Sequence, residues 1–508
     1  MGLREDIMDL LHNLELGFSV ALTLKNILYC FFGTVIGTLV GVLPGIGTPT
    51  TVALLLPFTY GLEPTTALIM LAGIYYGAQY GCSTTSILIN IPGEPSGVIT
   101  VLDGYQMARQ GRAGEALLVS ALGSFFAGCV ATIVIAAFGP PLANVALKFG
   151  PAEYFSLMVL GLIAAVVLAR GSAIKAIGMV ILGLLFGLVG TDVRTGEQRF
   201  TFGWIELFDG IDFTVIAMGV LGMAELISNL EEAEEDRQSF TKSVKGLGIW
   251  RLSRDDFRRA WPASVRGTLV GTVLGVLPGG GALISAFASY ALEKKIAKEP
   301  ERFGKGAIEG VAAPESANNA GAQTSFIPML TMGIPSNVVM ALMIGALMIH
   351  NIQPGPQVMT KNPDLFWGLV ASMWVGNLML VILNLPLIGI WVKLLAVKYR
   401  LLSPAILAVC SIGVYTVSNS SSAVLLMALF GALGYVFVKL DFEPAPLLLG
   451  FVLGPMMEDN LRRAMTISHG NPAVFITRPL SLALLTVALL LLVAILFPSI
   501  AKRREKSF

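Results

Sequence analysis

Two short stretches decide the fold: GTLVGVLPGIG at residues 37–47 and GTVLGVLPGGG at residues 271–281. Eight of eleven positions are identical, at a spacing of 234. A second block follows in the same order. Gly81, Thr84, Thr85, Gly93, Pro95 and Ser96 match Gly321, Thr324, Ser325, Gly333, Pro335 and Ser336 at a spacing of 240. Chance likeness between glycine-rich apolar segments is the competing reading, but it accounts for neither the order nor the near-constant offset. The pattern is that of an internal duplication. Both blocks are rich in Gly and Pro, which permit unusual backbone and interrupt helices. Paired broken segments in the two halves of a membrane chain point to a transport site.

The surroundings are those of a membrane protein. The chain has 508 residues, 55% hydrophobic and 13% charged, with mean hydropathy +0.76. Soluble domains carry about 25% charged residues, so most of this chain is expected in lipid. Apolar runs of bilayer length cover roughly 20–43, 116–140, 153–170, 173–190, 211–229, 365–391, 403–419, 421–440 and 478–498. The apolar stretches 49–59, 64–80, 83–92, 264–277, 282–292 and 321–350 are too short or too interrupted to span simply. Irregular backbone survives in a bilayer only inside protein or along a cavity. These stretches therefore read as half-helices and re-entrant hairpins around a central site. The expected fold is an all-α, polytopic integral membrane protein with two inverted-topology repeats, discontinuous helices and re-entrant hairpins.

Other classes find little support. Net charge is +1, so no nucleic-acid partner is indicated. Cys30, Cys82, Cys129 and Cys410 show neither metal spacing nor a disulfide framework. His12, His350 and His469 are far apart in sequence. No cofactor is expected. The start, MGLREDIMDLLHNLELGFSV, is acidic and amphipathic and lacks the basic opening and small-residue cleavage site of a signal peptide.

Charge divides and orients the chain. Residues 17–229 read as a first transmembrane repeat and 263–475 as a second. Residues 230–262 form a charged linker with seven Lys/Arg by residue 259, and 476–508 a final helix with a basic tail. The stretch 57–66 carries no Lys or Arg, whereas its counterpart 293–305 carries Lys294, Lys295, Lys298, Arg302 and Lys305. Conversely, Arg170 and Lys175 in the first half correspond to the uncharged 416–424 in the second. Positive charge stays in the cytoplasm, so the halves are expected to be inverted. The linker and C-terminus are then inside and the N-terminus outside.

The broken segments carry the candidate chemistry. In Pro44-Gly45-Ile46-Gly47-Thr48-Pro49, Thr48 and Pro49 suit an N-cap and first helical position. A half-helix starting there aims free N–H groups and a positive dipole end into the membrane, an anion site. Pro278, Gly279, Gly280 and Gly281 form the second copy. A side chain at Gly47 or Gly281 is expected to block backbone approach to the anion. Ser83, Thr84, Thr85 and Asn90 in the first copy, and Asn318, Asn319, Thr324 and Ser325 in the second, add neutral oxygens and amides. These suit a carboxylate or Na⁺. The bland readings are helix packing through small residues and interhelical hydrogen bonds. Glu94 and Glu315 adjoin the motifs and are the candidates for ion coupling, since intramembrane acids are functional candidates by default.

GVLPGIG (41–47), YYGAQYG (75–81), INIPGEP (89–95), PGGG (278–281), PESANN (314–319) and GIP (333–335) together resemble the large membrane subunit of tripartite tricarboxylate transporters. The resemblance runs over roughly 17–475. It implies a permease of the bacterial inner membrane for citrate-like carboxylates, driven by an ion gradient; the neutral oxygens of the broken segments point to Na⁺, with H⁺ as the alternative. It also implies two partners, a small membrane subunit and a periplasmic substrate-binding protein. The residues alone leave open an autonomous carrier or a channel, although inverted broken segments favour alternating access. No HExxH motif or nucleophile–base pair suggests an enzyme.

Overall fold

A computed structural model describes residues 2–43, 47–90, 92–169, 172–192, 195–231, 252–277, 281–394 and 399–505. Pro44, Gly45, Pro278, Gly279 and Gly280 lie outside the described residues, as do 232–251 of the charged linker. The described chain is almost entirely helical, apart from one small antiparallel pair, Gly190–Thr191 with Gln198–Arg199. Among the described residues, four helices are long and apolar enough to cross a membrane: Leu24–Val42, Ala113–Ala146, Pro363–Asn384 and Ser421–Lys439. Shorter apolar helices include Pro151–Val167, Ala173–Gly187 and Pro479–Ala494.

Most expected spans map onto helices with small shifts at the ends, but residues 365–391 divide into Pro363–Asn384 and Ile388–Leu394, and residues 264–277 belong to a longer helix, Arg254–Val276, that starts within the expected linker. One expected division also does not hold. Residues 64–80 and 83–92 were expected to be separate broken pieces. They form a single helix, Pro64–Ile89. Its polar run does not interrupt it: the Thr85 hydroxyl donates back to the Cys82 carbonyl at 3.1 Å, and the Ser83 hydroxyl donates to Glu315. The helix stops at Asn90, whose φ of 62° is the left-handed cap conformation. The second-half stretch 321–350 does break, into Glu309–Thr324, Phe326–Met332 and Val338–Ile349, with Gly333 at φ 72° closing the middle piece.

The glycines of the repeated motif are packing residues as well as motif. A Cβ at Gly33, Gly37 or Gly41 of helix 24–42 would collide with the carbonyl oxygens of Met70, Ile74 and Ala78 on helix 64–89. The second half repeats this. Gly267, Gly271 and Gly275 on helix Arg254–Val276 lie against Ala313, Ala317 and Gly321 of helix 309–324 in the same way. Small residues every fourth position let the two backbones touch, the close-packing device of membrane helices.

The halves also exchange helices. Helix 173–187 packs on Pro444–Ile467 of the second half, where Gly183 abuts Leu447 and Gly450 abuts Val180. Reciprocally, the first half's Phe213–Ala217, the π-helical Met218–Met223 and Ala224–Glu231 run against helix 421–439, with Gly219, Gly431 and Gly434 at the contact. Polar contacts join helix ends across the halves: Arg112 to Asp256 at 2.8 Å, the Gln110 amide to the Lys305 carbonyl at 2.8 Å, and Lys175 to the Leu440 carbonyl at 2.7 Å. Others are Arg199 to Glu458 at 2.9 Å and Arg478 to Glu153 at 2.7 Å.

Candidate functional site

The broken segments of both halves meet at one cavity of about 230 Å³. The first half supplies Thr48 and Pro49, Tyr75 and Gln79 of helix 64–89, and the loop Glu94-Pro95-Ser96. The second supplies Gly281 at the start of helix Gly281–Ile296 and the loop Pro335-Ser336-Asn337. Pro95-Ser96 and Pro335-Ser336 are the repeat-equivalent pairs seen in the sequence. Helix 151–168 and the first turn of helix 444–467 close the remaining walls. Among the described residues no Lys or Arg lines this cavity, and its ionisable carboxyls are Glu94 and Glu443.

Helix Thr48–Leu55 begins one residue earlier than Thr48 suggested. Gly47 is the N-cap, with Thr48 and Pro49 in the first turn. Its leading amides are already engaged. The Gly47 N–H donates to Glu225 at 2.8 Å, and the Thr48 N–H donates to Glu94 at 2.6 Å. The Thr48 and Thr50 hydroxyls donate to Glu94 and Glu225 respectively. The helix start expected to attract an anion thus holds two of the chain's own carboxylates, which its positive end stabilises. A Cβ on Gly47 would meet only Glu225 oxygens and Pro49 Cδ, all at 3.6 Å, an ordinary contact. Close backbone approach is therefore not enforced at Gly47. Gly281 differs, because its φ of +42° strains any side-chain-bearing residue.

Asn337 organises the opposite wall. Its Oδ1 accepts from Met340 N at 3.0 Å and caps helix 338–349. Its Nδ2 donates to the Tyr75 hydroxyl at 3.2 Å and to Ser325 Oγ at 3.3 Å. The Ser336 hydroxyl donates to the Ser325 carbonyl at 3.3 Å. Ser325 thus supports the cavity wall without lining it.

The other sequence candidates lie elsewhere. Glu315 is fully buried away from the cavity lining and accepts from Ser83 at 2.5 Å and from the Thr100 hydroxyl. The Thr85 and Thr324 hydroxyls fold back onto their own helices, Thr324 onto the Ala320 carbonyl at 2.9 Å. Thr84 is buried in helix 64–89. Asn319 donates to Ser124 of helix 113–146 at 2.7 Å, and the buried Asn318 amide finds no hydrogen-bond partner among the described residues. Asn90 is exposed at its helix cap. Sequence reasoning passed over Glu225, Tyr75, Gln79 and Asn337 as site residues. Asn337 had a readable signal, an Asn immediately before an apolar helical run. Glu225 had only its acidity at the end of an apolar stretch.

A helical membrane chain whose two halves pack helices on one another and together wall a cavity belongs to the architectural class of polytopic transport proteins. The chain is a member of the tripartite tricarboxylate transporter TctA family, which it matches over residues 27–449. It is 58% identical over 502 residues to an uncharacterized 52.8 kDa protein of Agrobacterium vitis from the TAR-I ttuC' 3'region, covering 99% of both chains. It is 57% identical over 238 residues to an uncharacterized protein from the TAR-II ttuC' 3'region of the same organism. That match covers 47% of this chain and 98% of the relative. No solved structure matches the chain significantly.

Proposed function

We propose that the chain is the large permease subunit of a three-component secondary transporter that takes up citrate-like tricarboxylates or related carboxylates across the bacterial inner membrane. Substrate binds in the cavity between the halves. Access alternates as one inverted repeat rocks against the other. Gln79, Ser96, Ser336 and Asn337, which line the cavity, are the groups proposed to contact it. Polar contacts at the helix ends support inversion, since each joins loops that the Lys/Arg distribution puts on the same side. Arg112–Asp256, Gln110–Lys305 and Lys175–Leu440 fall on the cytoplasmic side, and Arg199–Glu458 and Arg478–Glu153 on the outer side.

The observation that carries this reading is the charge of the cavity wall. Among the described residues, a carboxylate entering it meets Glu94 and Glu443, no Lys or Arg, and a helix start whose first amides are engaged. An unpaired anion in such a place is unfavourable. Entry therefore requires a cation to enter with it, Na⁺ coordinated by the wall's oxygens or H⁺ carried on a carboxyl. That is symport, and it disfavours a simple anion pore. The test is uptake of labelled carboxylates into proteoliposomes holding the chain and its small subunit, with binding protein outside. Uphill uptake should require an inward Na⁺ or H⁺ gradient. Equilibrative flux that ignores both gradients would overturn the proposal in favour of a channel.

A further inference from the structure

A second cavity, of about 490 Å³, opens between helices 254–276 and 281–296 on the Lys/Arg-rich side of the second half. Nothing in the transport reading uses it. Five cations line it: Arg258, Arg259, Arg266, Lys298 and Arg302. Three are held by carboxylates. Arg266 forks onto Glu293 at 2.6 and 2.8 Å, Arg302 reaches Glu309 at 3.3 Å, and Arg259 reaches Asp255 at 3.1 Å. Among the described residues, Arg258 and Lys298 form no ion pair, and both are exposed. The cleft thus presents two uncommitted cations above an anchored Arg–Glu floor.

The surface beside it is apolar. Leu269 and Val273 lie one turn apart on helix 254–276, with Trp261 two turns before them and Leu277 at the helix end, and the four, Trp261, Leu269, Val273 and Leu277, are 44, 60, 66 and 51% exposed. Ile296, at the cavity edge, is also exposed. Trp261 stacks on Phe257 at 6.2 Å and tilts against Phe126 at 4.6 Å. An indole beside a cluster of cations, with a stripe of aliphatic side chains running away from it, is the arrangement expected at headgroup depth. A free inorganic anion would account for the cations but not for the stripe.

We infer that this cleft binds the phosphate of an anionic phospholipid, with Arg258 and Lys298 contacting the headgroup and the Trp261–Leu277 stripe carrying an acyl chain. Basic pockets between helices on the cytoplasmic side favour such headgroups. The lipid would brace helix 254–276 against helix 281–296, the second-half pair that leads into the transport cavity at Gly281.

The test is native mass spectrometry of the full-length chain, released from micelles containing phosphatidylglycerol and phosphatidylcholine. The wild type should retain phosphatidylglycerol selectively. The double variant Arg258→Gln, Lys298→Gln should bind it roughly ten- to thirtyfold more weakly, from the loss of two surface cations. A control variant, Lys361→Gln, should bind like the wild type. Millimolar inorganic phosphate should not displace the lipid. Equal retention of both lipids, or a double variant indistinguishable from the control, would overturn the site. Displacement by phosphate would overturn the lipid assignment and identify a soluble-anion site. Melting curves check that the double variant is folded, and its substitutions are at exposed positions.

Discussion

Glu94→Gln is the substitution that most directly tests the electrostatic argument. The glutamine keeps an oxygen that accepts from the Thr48 N–H and hydroxyl, so the local geometry can persist. What disappears is one negative charge in the cavity wall. Its favourable interaction with the start of helix 48–55 is lost, about 1 kcal/mol. That loss falls on the empty and the loaded states alike, so it lowers stability without changing affinity. The repulsion of an entering carboxylate is a different matter. At about 5 Å and an effective dielectric of about 20, two unit charges repel by about 3 kcal/mol. Removing Glu94's charge should therefore strengthen cation-free substrate binding by tenfold or more, with roughly a hundredfold as the upper bound. The same change removes a reason for the coupling ion to be present. Accumulation at a fixed gradient should fall and ion dependence should flatten, even as binding tightens. Equilibrium binding without Na⁺ at alkaline pH, paired with uphill uptake in proteoliposomes, measures both. A folded Glu94→Gln protein with wild-type ion dependence and wild-type cation-free affinity would refute the reasoning.

Three further outcomes are expected. Gly37→Ala and Gly271→Ala should each destabilise the protein by about 1–3 kcal/mol through overpacking, because the new methyl meets a carbonyl oxygen of the facing helix. Gly47→Ala should be nearly neutral in thermal melts, and equal melting of Gly37→Ala and Gly47→Ala would contradict the packing account. Asn337→Ala should uncap helix 338–349 at a cost of about 1 kcal/mol and weaken substrate binding. Asn337→Ser should restore stability but not affinity, and recovery of both would assign Asn337 a purely structural role. Cysteines at Thr195 and Lys298 should react with impermeant reagents from opposite faces of the membrane, and labelling from one face would end the inverted scheme.

How much could be read from the sequence followed from how local each signal is. Apolar runs such as 363–384 and 421–439 announce themselves through composition, because a bilayer requires continuous apolar length. The repeat was visible because glycines such as Gly37, Gly41, Gly271 and Gly275 sit where two backbones touch, and a side chain there would collide. The same run of small polar residues misled the reading of 64–92. Ser83 and Thr85 look like helix breakers in isolation, yet the Thr85 hydroxyl is satisfied by the preceding turn and the Ser83 hydroxyl by distant Glu315, and the helix continues. The anion site shows a deeper limit. A helix start marked by Gly47, Thr48 and Pro49 is legible locally, but its occupants are not. Glu94 reaches Thr48 across 46 positions and Glu225 reaches Gly47 across 178, the latter from a helix that follows a π-helical segment. No pattern near Thr48 encodes either partner. Only the fold reveals that the positive end of helix 48–55 is already neutralised. On the proposed function, that occupancy shifts the requirement from a free amide for the substrate to a cation that travels with it.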